Sequence, residues 1–149
     1  RFGEIAELLV REGVTFVRRS AGLPEADTAV WLGDSMGEMA AYYTLAELAF
    51  IGGSLLPLGG QNLIEAAACG CPVIVGPHTF NFQQATADAI TAGAAERVSD
   101  AAGLALAINR LFGTGNELDQ MRRAAASFAA AHRGATARTM DLIRVSLSA

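Results

Sequence analysis

The sequence predicts an α/β fold in which a parallel sheet is covered by helices on both faces. Short β-branched or apolar runs bounded by turn residues alternate with helical patterns about ten residues long, which is the pattern of strands joined by helical crossovers. Hydrophobic residues make up 52% of the 149-residue chain and charged residues only 17%. That balance belongs to one packed globular domain, able to bury roughly two thirds of its unfolded surface, and excludes a disordered segment.

Phe2, Ile5, Leu8 and Leu9 recur at helical spacing and Gly13 supplies a stop, so a helix is expected over about 2–12. "VTFVR" and "TAVWLG" read as strands near 14–18 and 29–33, with "SAGLPEAD" as the loop between them. A helix over "DSMGEMAAYYTLAE" follows, with Met36, Met39, Tyr43 and Leu45 as inward positions, and then a strand in "LAFIGG". Of the neighbours Tyr42 and Tyr43 only one can face the core, and Trp31 is expected in the sheet interior. The alternation continues through "NLIEAAACG", "PVIVGP", "NFQQATADAITAGA" and "AERVS", and two or three helices close the chain, from "DAAGLALAINRLF" through "ELDQMRRAAASFAAAH" to "ATARTMDLIRVSL". The first residues already read as helix, so the sequence has the look of a fragment.

Net charge is −4, and all eleven basic residues are arginine. Scattered apart from Arg18-Arg19 and Arg122-Arg123, they form no nucleic-acid footprint. Cys69 and Cys71 flank Gly70 too closely for an easy disulfide or a four-ligand zinc site, so they read as small buried thiols, and no metal site is expected. The start shows no signal-peptide pattern and no apolar run reaches eighteen residues, so the chain as given is expected to be soluble.

In an open parallel sheet, ligands collect at the carboxyl ends of the strands. Three turns fall there and should face one crevice: "GDSMGEM", "GGSLLPLGGQN" and "GPHTFNF". Gly52, Gly53, Gly59 and Gly60 miss the GxGxxG spacing, and a Walker loop needs a lysine that this chain lacks. Two readings remain. Glycines let backbone approach a ligand, and a helix opening at Asn62 offers N–H groups to an anion. Equally, the turn can be a wide connection that uses glycine for φ > 0.

Asn62-x-x-Glu65 and Ser35-x-x-Glu38 fit capping boxes, and capping is favoured over ligand contact for both glutamates on pattern alone. Asn81-x-x-Gln84 makes a weaker third box. His78 and His132 are single histidines without the partners of a triad or metal site. Arg18 or Arg19, at a strand end, can pair with a phosphate or carboxylate or remain solvated.

The stretch "LGDSMGEMAAYYTLAELAFIGGSLLPLGGQNLIEAAACGCPVIVGPHTFNF" closely resembles the carboxyl-terminal domain of 3-deoxy-D-manno-octulosonic acid (Kdo) transferases, strongly over about residues 1–98. Three motifs carry the resemblance: D-S/T-M-G-E, G-G-S-x-x-x-x-G-G-x-N-x-x-E and G-P-x-T-x-N-F. It implies a Rossmann-like, CMP-Kdo-binding half of a GT-B glycosyltransferase that transfers Kdo to a lipid A precursor at the cytoplasmic face of the bacterial inner membrane. By the resemblance Met36, Gly37, Glu38, Asn62, Leu63, Ile64 and Glu65 contact CMP; joined to the glycine-turn reading above, this makes Gly53, Ser54, Gly59, Gly60 and Gln61 the expected phosphate or Kdo neighbourhood. It also implies that the catalytic base, a glutamate, lies with the membrane anchor and acceptor site in an amino-terminal domain outside this chain, which alone is then inactive. No catalytic residue and no cofactor is expected here, and nucleic acid is not a partner.

The sequence departs from the family pattern at Ser35 (threonine is common), Gln61 (histidine), Leu63 and Ala66 (prolines) and Cys71 (lysine). Ser35 keeps the hydroxyl, while the role of Gln61 stays open. Two other readings compete: the donor domain of another GT-B enzyme, a UDP-sugar transferase or sugar-nucleotide epimerase, and a folded module without measurable ligand binding.

Overall fold

The computed structural model describes residues 2–113, 115–132, 139–140 and 143–144. The chain divides into two compact units, residues 1–39 and 40–149.

The first unit holds helix α1 (Phe2–Arg11) and strands β1 (Phe16–Arg18) and β2 (Val30–Leu32). Gly13 ends α1 at φ +67°, a conformation that glycine adopts without strain. The strands pair in parallel, Phe16 against Val30 through Arg18 against Leu32. Trp31 is half-buried on β2 and does not fill a sheet interior: its indole N–H donates to the Gly22 carbonyl at 3.2 Å and Arg19 lies 5.9 Å from the ring centroid.

The second unit begins within helix α2 (Met39–Leu45) and carries β3 (Ala49–Phe50), α3 (Ile64–Ala68), β4 (Val73–Val75), α4 (Gln83–Thr91), β5 (Ala95–Arg97), α5 (Ala101–Leu111) and α6 (Glu117–His132). Its parallel sheet has the order β3-β4-β5, each strand beside the next one in sequence. β4 sits between two neighbours and its three residues are completely buried, which is why "VIV" is apolar throughout. Successive side chains of a strand point to opposite faces. Val73 and Val75 accordingly enter one core with Leu63, Ala66 and Ala67 around α3, Ala89 of α4 and Phe128 of α6, while Ile74 enters a second with Val98, Ala107 and Leu111. Helices thus cover both faces of this sheet.

On the first face α3 packs against α6, and the small Ala66, Ala67, Ala125 and Ala129, all buried, let the backbones approach. Asp100 caps α5, its carboxylate accepting the Gly103 N–H at 2.8 Å. Arg122 joins α6 to the end of the α2 segment through Glu47 at 2.9 Å.

The helix expected from Ser35 opens only at Met39. Met36, Met39 and Leu45 are exposed rather than inward, and Tyr43 alone of the four packs on the core. The apolar residues of that stretch fit helical spacing, but residues 35–37 form a bend ahead of the helix, so Met36 never joins a helical face. The last expected helix, "ATARTMDLIRVSL", lies mostly outside the described residues, and helix is assigned there only at 139–140 and 143–144.

Ile74→Ala removes a fully buried side chain from the middle strand and is expected to lower unfolding free energy by about 2–5 kcal/mol in urea titration. Leu106→Ala, on the exposed side of α5, should stay within about 0.5 kcal/mol of the parent.

Candidate functional site

The glycine turn follows β3, whose pairing continues one step further where Ile51 N–H donates to the Ile74 carbonyl at 3.0 Å. Ser54 then turns inward and is completely buried. Its hydroxyl donates to the Ile51 carbonyl at 2.5 Å and accepts the Gly76 N–H at 2.8 Å, while its own carbonyl accepts the His78 N–H at 2.9 Å. A Cβ on Gly76 would lie 2.3 Å from the Ser54 carbonyl oxygen, so only glycine permits this approach.

The far side of the turn closes in the same manner. Gly60 N–H donates to the Gly53 carbonyl at 3.2 Å, and Gly53, Gly59 and Gly60 all adopt positive φ. Asn81 N–H donates to the Gly59 carbonyl at 3.2 Å, and its side-chain amide donates to the carbonyls of Leu58 and Gly60 at 3.3 and 3.4 Å. Asn81 is therefore a tie across the glycine turn and not a cap; the residue preceding α4 is Phe82, without a side-chain capping bond. Two of the three expected loops, "GGSLLPLGGQN" and "GPHTFNF", are thus brought together at the carboxyl ends of β3 and β4.

The turn leads into Asn62. Asn62 Oδ1 accepts the Ile64 N–H at 3.0 Å and its amide donates to Glu65 Oε1 at 3.0 Å. The helix opens at Ile64, two residues later than expected, and the Asn62–Glu65 link runs side chain to side chain instead of back to the Asn62 N–H. Leu63 is buried in the core of this unit, whereas Gln61 and Glu65 are exposed. Glu65 Oε1 is the oxygen that the Asn62 amide engages. Burial, with the Glu65 carboxylate adding to it, pushes the Tyr43 phenol above its ordinary pKa, so it stays a neutral hydrogen-bonding group at pH 7.

In the first unit, the segment after β2 is tied to the end of β1. Ser20 donates its N–H and its hydroxyl to Asp34 at 2.9 and 2.7 Å. Arg19 pairs with Glu38 at 3.0 Å, and the Ser35 hydroxyl donates to the same carboxylate. Ser35 and Glu38 form a side-chain pair and not a capping box, since α2 begins beyond both. Gly37, at φ +81°, and Met36 are exposed. The candidate residues Met36, Gly37 and Glu38 lie in this first unit and the others in the second.

Arg97, not singled out by sequence pattern, donates to the carbonyls of Gly76 and Pro77 and to the Thr79 hydroxyl. His78 is half-buried in that loop, and the side chain of His132 lies outside the described residues. Cys69 and Cys71 are free thiols; burial pushes the Cys71 thiol above its usual pKa. Among the described residues no cluster of His, Cys, Asp and Glu is arranged to hold a metal ion.

Ser54→Ala orphans the buried Gly76 N–H and should cost about 1–3 kcal/mol by chemical denaturation. Gly76→Ala should cost about 1–3 kcal/mol or more, because the methyl meets backbone atoms that cannot yield. Hydrogen bonds from Ser20 hold the Asp34 carboxyl below its ordinary value of 3.8, outweighing desolvation. A depressed folded-state pKa stabilises above the unfolded value, and that stabilisation is lost as pH falls through the folded one. Ser20→Ala should therefore lower stability at pH 7 and flatten its decline toward acid, followed by Trp31 fluorescence.

The chain is 50% identical over 145 residues to 3-deoxy-D-manno-octulosonic acid transferase of Bordetella pertussis, covering 96% of this chain and 34% of that protein. It is 38% identical over 146 residues to the Haemophilus influenzae enzyme of the same name, again covering 34% of it. The chain thus spans about a third of the length of these curated relatives. No protein-family model matches it. The crystal structure of the C-terminal CMP-Kdo binding domain of WaaA from Acinetobacter baumannii superposes with a TM-score of 0.73 at 33% identity, over 86% of this chain and 67% of that one. With that domain shared in both sequence and fold, the chain belongs to the 3-deoxy-D-manno-octulosonic acid transferase family and corresponds to its carboxyl-terminal domain.

Proposed function

We propose that the chain is the donor-binding module of a Kdo transferase and holds CMP-Kdo at the carboxyl ends of its strands. The observation that carries this reading is the likeness, at 33% identity and a TM-score of 0.73, to a solved domain described as binding CMP-Kdo. The turn-on-turn assembly around Ser54 and Gly76 supports it, because it presents glycine backbone where an open parallel sheet receives ligands. Asn62, Ile64 and Glu65 contact the nucleotide, a role that the family resemblance assigns also to Met36, Gly37 and Glu38, and Gly53, Ser54, Gly59, Gly60 and Gln61 lie around the phosphate or the sugar. Ser54 acts there by shaping the turn, since its hydroxyl is already engaged. Leu63 anchors this stretch in the core, and the exposed Glu65 carboxylate accepts hydrogen bonds from ribose hydroxyls.

In the whole enzyme an acceptor hydroxyl on a lipid A precursor, deprotonated by a glutamate from the amino-terminal domain, attacks the anomeric carbon of Kdo and CMP departs. Backbone N–H groups at the entry to α3 and around the glycine turn offset the charge that develops on the leaving phosphate. This chain contains no lysine, so its own share of that stabilisation falls to backbone dipoles. The reaction takes place at the cytoplasmic face of the inner membrane, to which the amino-terminal part attaches.

Isothermal titration tests the donor reading. CMP should bind the parent more tightly than UMP, and Glu65→Ala and Asn62→Ala should each weaken CMP by about tenfold, a loss of about 1.4 kcal/mol. A thermal melt of each variant separates lost contact from lost structure, since Asn62 also holds the Ile64 N–H. Unchanged CMP affinity in both folded variants removes the assigned contacts, and a preference for UMP points to a UDP-sugar enzyme.

A further inference from the structure

Arg97 ends β5, in register with Val75 of β4, and its side chain reaches across to the loop that leaves β4. Nη1 donates to the Gly76 carbonyl at 3.4 Å and the Pro77 carbonyl at 2.9 Å, and Nη2 donates to Thr79 Oγ1 at 3.1 Å. Three acceptors within one four-residue loop are thereby joined to one planar guanidinium, whose fixed fork sets angles as well as distances. Two other arginines of this unit behave differently: Arg110 pairs with Glu96 and Glu117, and Arg122 with Glu47 and Asp119. The partners of Arg97 are two carbonyls and a hydroxyl, so its use in this place is geometric.

The loop that Arg97 grips is the one the glycine turn leans on. Gly76 and His78 donate their N–H groups to Ser54, and the position of a Cβ on Gly60 lies 3.5 Å from the His78 carbonyl oxygen and 3.8 Å from Thr79 Cα. The ends of β3, β4 and β5 are therefore linked in series, from Ser54 to Gly76 to Arg97.

We propose that Arg97 is a positioning residue for donor binding: it holds loop 76–79, and through Ser54 and Gly60 the glycine turn, in the shape that receives the nucleotide. The ligand half of this inference rests on the donor-binding reading above. Arg97 acts through the loop, so it does not distinguish a charged nucleotide from a neutral nucleoside.

The test compares Arg97→Ala and Arg97→Lys with the parent 149-residue chain by thermal midpoint, by amide exchange at Gly60, Gly76 and His78, and by affinity for CMP and for cytidine. In Arg97→Ala, exchange at the three amides should rise about tenfold as the loop opens locally, with little change in the midpoint. Affinities for CMP and cytidine should fall together, each by about fivefold, as preorganisation is lost. Arg97→Lys keeps the charge but not the fork and should recover only part of both. Unchanged exchange and affinity in folded Arg97→Ala overturn the proposal. So does a loss confined to CMP, which would make Arg97 a direct contact to the phosphate. A parent chain that binds neither ligand overturns the donor reading and the ligand half of this inference, while the exchange rates still decide whether Arg97 holds the loop.

Discussion

The completely buried hydroxyl of Ser54 is the interaction on which the carboxyl-end edge of the second unit's sheet depends. A hydroxyl removed from water has to find both a donor and an acceptor, and Ser54 finds them in the Gly76 N–H and the Ile51 carbonyl. One side chain thereby connects the exits of two strands. The approach is possible because Gly76 carries no side chain, so serine and glycine act as a matched pair separated by 22 residues. Everything else at that edge follows from this spacing: the positive-φ glycines that bring the turn back, the Asn81 amide that spans it, and the entry into α3 that Asn62 holds.

Much of the fold is legible in the sequence because each strand is a short apolar run between strong punctuation. "PVIVGP" could only be a buried strand ending in a turn, and β4 occupies Val73–Val75 as expected. The composition of the glycine turn allows two readings, backbone approaching a ligand or a wide connection using glycine for φ > 0, and the positive φ of Gly53, Gly59 and Gly60 fits the second without deciding the first. The partners of the turn were not legible, because a hydroxyl meeting an amide 22 residues away leaves no periodicity to detect. Arg97 was missed for the same reason; one arginine after an apolar strand looks like any solvated charge.

The capping boxes show how one spacing serves two structures. Residues three apart are neighbours in a helical first turn and also in a tight bend, so Ser35-x-x-Glu38 satisfies the pattern either way. What decides is the ion pair that Arg19 makes with Glu38, a contact between different strands' exits. Asn62 and Glu65 are likewise near each other as expected, but the helix starts later and the bond joins their side chains. Family likeness marks both stretches as places of interest, while the geometry shows Asn62 holding the Ile64 N–H and Ser35, Glu38 and Glu65 engaged by other side chains.

β4 contributes to both cores of its unit although it is only three residues long, with Val73 and Val75 on one side and Ile74 on the other. Disturbing it disturbs both layers, so this strand belongs to the part of the domain that opens only when the whole unit does. Loop 76–79 begins where β4 ends. That edge of the sheet is therefore rooted at one end in backbone packed into both cores, which favours excursions about a fixed root over detachment from the sheet.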